Sequence, residues 1–171
     1  MSKSREILIY GRRLHNAMKN AIEDGDGRVD DVWLKQERPA FEHYTCSMYL
    51  TGCLSYLEDK FGIKPWNKEG DISKEFNAYI QSSNVKSFIK LNISKSSCEA
   101  LVCIRNSVVH NGGDLAKNTD KNSFMKVNDI NIPNIKLDGT KITLLSTSYQ
   151  SDFMEYVRQH LLAVSMYHGQ G

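Results

Sequence analysis

A chain of 171 residues, 40% hydrophobic and 25% charged, is the right size for one domain and too short for two comfortable ones. It buries roughly 70% of its unfolded surface on folding, so it needs no disulfide staple and is not disordered by composition. Lys and Arg number 22 against 20 Asp and Glu, a net charge of +2; that is no bulk basic coat for nucleic acid, although a local basic patch fits within it.

No apolar run approaches the roughly 18 residues of a membrane span, so no membrane partner is expected. The opening stretch MSKSREILIYGRRLHN breaks its apolar residues with charges and has no signal-peptide core, which points to a cytoplasmic location. Cys46, Cys53, Cys98 and Cys103 form no C-x-x-C pair, so zinc-ribbon and thioredoxin chemistry are not expected. They read as small core residues of a reducing compartment.

In chain order, a first helix is predicted over about 4–24, where Ile7, Tyr10, Leu14, Ala17, Met18 and Ala21 share one face. Gly25 and Gly27 stop it. The following EDGDGRVDD faintly echoes a calcium loop, but Arg28 takes a ligand position and no bidentate Glu closes it, so a solvated connector is expected. After a turn near Val32–Leu34, a second helix starts near Pro39, with Phe41, Tyr44, Met48, Gly52, Tyr56 and Leu57 as its inward stripe. Gly62 and Pro65 end it. Helical pieces follow near 74–81 and 85–91.

The third main helix is expected to open on a capping box, Ser96 with Glu99. It reads CEALVCIRNSVVH and stops at Asn111-Gly112-Gly113. A polar loop over 114–123 leads to period-two alternation, Ile130 with Ile132, Ile135 with Leu137, and Ile142 with Leu144. Asp138-Gly139 signals a hairpin. A two-residue turn would set Lys136 against Lys141, so a four-residue loop, Asp138–Lys141, that pairs Leu137 with Ile142 and Ile135 with Leu144 is preferred. A last helix over about 152–167, with Ser151 as N-cap, turns Phe153, Tyr156, Val157, Leu161 and Val164 inward. The expected fold is mainly α: a four-helix-type up-down bundle with a small β-hairpin inserted before the last helix, one domain over 1–171.

One residue breaks this pattern. On a wheel of about 100° per residue, Cys98, Leu101, Val102, Ile104, Val108 and Val109 cover one face. Arg105 falls within it, about 40° from Leu101 and from Val109. A guanidinium cannot shed its proton there. It must pair with an acid, reach solvent, or face a second chain or a substrate. Asn106 and His110, four apart, stack on the polar border of the same helix.

Arg105-Asn106-Ser107-Val108-Val109-His110, followed by Asn111-Gly112-Gly113, resembles the R-x(4–6)-H signature of the HEPN superfamily. In that family the arginine is commonly followed by a polar residue, late in the third helix of a four-helix bundle. The motif spans six to nine residues, and the helical order extends the likeness loosely over most of the chain. A second R-x4-H spacing, Arg38 to His43, has Pro39 at a helix start and no asparagine, and is set aside as chance. The position two after the histidine, a modified tyrosine in some HEPN toxins, is Gly112 here, so the likeness does not extend to regulation by tyrosine modification.

The resemblance implies a metal-independent endoribonuclease, without metal or cofactor, of the toxin–antitoxin or phage-defence (abortive infection) kind. Arg105, Asn106 and His110 would be its catalytic residues, RNA its substrate, a homodimer its working form, and an antitoxin or other defence protein a possible partner. RNA carries its own nucleophile, the 2′-hydroxyl. His110 would act as base or acid, Arg105 would hold the phosphate oxygens, and Asn106 would orient either residue or hydrogen-bond the ribose or phosphate. The alternatives are a non-catalytic HEPN-like module that binds RNA or nucleotide or serves as a scaffold, and an antitoxin or immunity-type partner protein.

Overall fold

Apolar residues at three-and-four spacing build two long helices that share the core. The computed structural model describes residues 38–62, 64, 66–67, 72–81, 94–144 and 152–162, with isolated helical positions at Arg13 and Ala17. Apart from those two positions, the expected helix over 4–24 lies outside the described residues, as do the glycine-rich connector, the turn near 32–34, Pro65, the helical piece at 85–91, the cap Ser151 and the last helix beyond 162. The helices are α1 (Arg38–Phe61), α2 (Lys74–Gln81), α3 (Lys95–His110), α4 (Ser123–Asn128) and α5 (Asp152–Val157). A 3-10 turn (Leu115–Lys117) follows α3, a π-helical turn (Arg158–Leu162) follows α5, and the hairpin β1 (Ile135–Asp138) with β2 (Lys141–Leu144) precedes α5. The described chain is thus mostly helical, with a small antiparallel hairpin before the last helix. None of its helices is long and apolar enough to cross a membrane.

The α1 helix begins beside Pro39 and ends at Gly62, which takes φ +62° and donates its N–H to Glu58 O at 2.9 Å. Its buried stripe is rotated from the expected one. Cys46, Tyr49, Leu50, Cys53, Leu54 and Leu57 enter the core, whereas Tyr44 is 61% exposed and Met48 and Tyr56 are half-buried. Two apolar stripes run along this helix, and the one carrying the leucines and cysteines offers the closer packing. Gly52 and Leu57 are buried as expected, and the Phe41 side chain lies outside the described set.

In α3, six residues between Cys98 and Ile104 are buried, which is apolar all round for two turns. The helix then surfaces: Arg105, Asn106 and Val108 are half-buried, Val109 is 45% exposed and His110 is exposed. Val109 therefore does not lie on the core face. The start differs too. The N-cap is Ser94, whose Oγ accepts the Ser97 N–H at 3.0 Å. Glu99 serves no capping box; it sits 3.4 Å from Lys95 Nζ and 3.9 Å from Lys126 Nζ, and Lys126 reaches Asp120 at 2.8 Å. Because the helix already runs from Lys95, Ser96 is inside it and offers no cap amide for Glu99 to reach.

All four cysteines are free and buried, Cys46 and Cys53 on α1, Cys98 and Cys103 on α3. Burial pushes the Cys98 thiol up to about 12 and Cys103 to about 11.

The expected polar loop over 114–123 holds the 3-10 turn and leads into α4, which period reading missed because six residues are too few to show a stripe. Ile130 and Ile132 follow α4 but form no strand. Pro133 and Asn134, at φ +58°, interrupt the extended chain before β1. The hairpin register is the preferred one, Ile135 with Leu144 and Leu137 with Ile142, which keeps Lys136 opposite Thr143. Asp138 and Lys141 also pair, so the loop narrows to Gly139-Thr140. Gly139 takes φ +57° at the first turn position, where a two-residue turn can require glycine. In α5 and its π-helical turn Phe153, Val157 and Leu161 are buried and Tyr156 half-buried.

The end of α3 is closed against this hairpin. Asn111 and Gly113 both donate to Ser107 O, at 2.9 and 3.0 Å, while Gly112 and Gly113 take φ +59° and +83°. Gly113 O then accepts the Ile142 N–H at 2.9 Å, and Leu115 N–H reaches Thr140 O at 3.0 Å. A Cβ on Gly113 would lie 2.9 Å from Ile142 O, while one on Gly112 would meet nothing within 4 Å. Gly112→Ala should therefore cost only the left-handed penalty, about 1–2 kcal/mol. Gly113→Ala should cost about 1 kcal/mol or more beyond that, because the hairpin must shift. Urea unfolding of the two variants measures the difference.

Candidate functional site

The surfacing turns of α3 carry the three residues singled out from the sequence. Asn106 and His110 lie about 40° apart and roughly 6 Å along the axis, one above the other. Arg105 lies one position back, and its long side chain folds across Asn106. Its Nη1 donates to Asn106 Oδ1 at 2.8 Å and lies 3.3 Å from His110 Nε2. A guanidinium nitrogen only donates, so this contact is a hydrogen bond in the tautomer that leaves Nε2 as the acceptor.

The arginine does not pair with an acid among the described residues. Its guanidinium carbon lies 4.5 Å from the centre of the Trp66 ring, a cation–π geometry. Burial draws its pKa below the ordinary arginine value, and Glu58, at longer range, pulls it back up. The Nε–H is buried and makes no hydrogen bond. The apolar neighbourhood inferred from the helical wheel is thus real on the side toward Trp66. The other side opens on a cleft.

That cleft holds about 350 Å³ and is lined by Lys64, Trp66 and Asn67. Arg105, Asn106 and His110 of α3 line it too, with Asn111, Lys117, Asn118, Thr119 and Asp120 from the segment after α3. Its charges are three cations, Arg105, Lys64 and Lys117, the last 3.8 Å from Asp114, with one carboxylate, Asp120, which Lys126 engages. The cleft therefore favours an anion. The segment after α3 is pinned by Asn118, 3% exposed, which donates to Cys103 O at 2.9 Å and accepts from Asn111 Nδ2 at 2.8 Å.

Reading the sequence for periodicity passed over Lys64, Trp66, Asn67 and Asn118. The first three had a signal, an aromatic set among polar residues just after a helix-stopping glycine; Asn118 had none. Among the described residues, no group of three or more His, Cys, Asp or Glu side chains is arranged to hold a metal. The chain matches no protein-family model, no curated protein and no solved structure.

The second arginine-to-histidine spacing ends in a structural contact. His43 is half-buried on α1, and its Nδ1 accepts the Leu144 N–H of β2 at 3.1 Å. Its lone pair is spent on tying the hairpin to α1, and burial lowers its pKa from the ordinary histidine value. A lowered folded pKa means that the unfolded chain binds the proton more readily. Stability is then complete above the unfolded pKa of about 6.5 and falls as pH drops through the lowered folded value. His43→Asn, which keeps an acceptor without the titration, should flatten that fall. Unfolding midpoints from about pH 8 down to about pH 5 test it; parallel slopes in the two proteins would contradict the linkage.

Proposed function

We propose that this chain is a metal-independent endoribonuclease of HEPN type. It would be a single domain with the four-helix-type up-down arrangement, working in the cytoplasm in a toxin–antitoxin or phage-defence setting. The observation that carries this reading is the convergence of Arg105, Asn106 and His110 in an open cationic cleft. When Arg105 turns from His110 to a bound phosphate, the freed His110 Nε2 can take the proton of the RNA 2′-hydroxyl. The 2′-oxygen attacks the adjacent phosphorus, and the bond to the 5′-oxygen breaks. Arg105 holds the charge added on the phosphorane, and Asn106 keeps the guanidinium in place. The products are a 2′,3′-cyclic phosphate and a 5′-hydroxyl. The focused cleft and the net charge of +2 imply a modest salt dependence of binding.

One α3 supplies one histidine, and the leaving 5′-oxygen needs an acid. A two-fold dimer would bring a second His110 to the same cleft. An apolar groove between α1 and the end of α3 supports that assembly: Tyr44, Met48, Val108 and Val109 line it, next to His110. A second reading, a module that binds RNA without cutting it, is favoured by the same Arg105–His110 contact, because it occupies the histidine's lone pair.

His110→Ala should lower RNA cleavage by about a hundredfold or more while the fold persists. Chelator should leave the wild-type rate unchanged. Toxicity on expression that His110→Ala relieves favours the nuclease; undiminished cleavage by a folded His110→Ala protein would sink it. Val109→Asp should convert a dimer to monomer in analytical ultracentrifugation and lower cleavage with it, whereas an active monomer removes the composite site.

A further inference from the structure

We infer that Trp66 is a positioning residue for Arg105, holding its guanidinium flat so that the donors along its edge serve an anionic ligand of the phosphate class. The inference deepens the ribonuclease reading and rests on it. Trp66 lies outside the helix that carries the motif. It is paired with the buried Ile72 in an antiparallel bridge and packs against the core, so its ring has a fixed place. Arg105 lies over that ring, its guanidinium carbon 4.5 Å from the centre. The choice of partner decides what the arginine can do. A carboxylate would stabilise the cation by taking its N–H groups, the groups a phosphate needs. An indole face stabilises it through the ring quadrupole and leaves the in-plane N–H groups unspent. Nη1 is engaged by Asn106 and His110, while the buried Nε–H has no partner. Burial of that unpaired donor is costly, and the part of the guanidinium edge that lines the cleft is where a phosphate oxygen would bind.

The test combines turnover with a spectroscopic arm. The chain has two tryptophans, so Trp33→Phe leaves Trp66 as the sole indole. In that background, inorganic phosphate should shift Trp66 emission, and the shift should vanish with Arg105→Ala; an unchanged emission overturns the inference. In RNA cleavage, Trp66→Leu should lower kcat/KM about 3- to 30-fold, chiefly through kcat. Trp66→Phe, which keeps a ring face, should recover most of that loss. Added to Arg105→Ala, Trp66→Leu should cost nothing more; equal losses in both backgrounds would show that Trp66 acts by packing alone. The emission arm needs no substitution at Trp66, so it decides even if Trp66→Leu fails to fold. If the wild-type protein cuts no RNA, the ribonuclease reading falls while phosphate-dependent emission still decides Trp66.

Discussion

The geometry of the site depends on how α3 ends. Its carbonyls at the last turn need donors; Ser107 O receives two, from Asn111 and Gly113. The turn that delivers them swings Gly113 onto Ile142 of the hairpin, and His43 ties the same strand to α1 at Leu144. His110 is the last residue before this closure, so its position is set by a backbone route through the hairpin to the opposite helix. The two short strands, marginal alone, act as the brace between the helix that carries Arg105, Asn106 and His110 and the helix that packs the core against it.

A second constraint is electrostatic. An arginine at the edge of a core must be stabilised without being silenced. Here Trp66 covers a face of the cation, an asparagine takes one donor, and Glu58 acts only from a distance. Asp120, the carboxylate in the cleft, is drawn off by Lys126, which also faces Glu99. The negative charge near the site is thus compensated locally by a lysine from α4, and the cleft keeps its attraction for anions.

Much of this was legible in the residues because strong local rules agree. Glycines placed the ends of α1 and α3, and like-charge avoidance at Lys136 chose the hairpin register. The anomaly of Arg105 pointed to the cleft. Other features were hidden for physical reasons. With two apolar stripes on α1, periodicity alone could not say which faces the core, and Tyr44 went to solvent. The cap of α3 is Ser94, two residues before the expected Ser96, so Ser97 and not Glu99 takes the third helical position that a capping box needs. Trp66 and Asn118 reach Arg105 and Cys103 from other segments; contacts of that kind leave no trace in spacing.

The cysteines put the core in another light. Cys46 and Cys53 on α1, and Cys98 and Cys103 on α3, are buried among the residues that join the two helices, and burial holds the thiols of Cys53, Cys98 and Cys103 protonated. Only the thiolate reacts readily. Alkylating or oxidising reagents therefore meet these sulfurs chiefly when the helices part, and their rate of capture is a clock for the opening of the core itself.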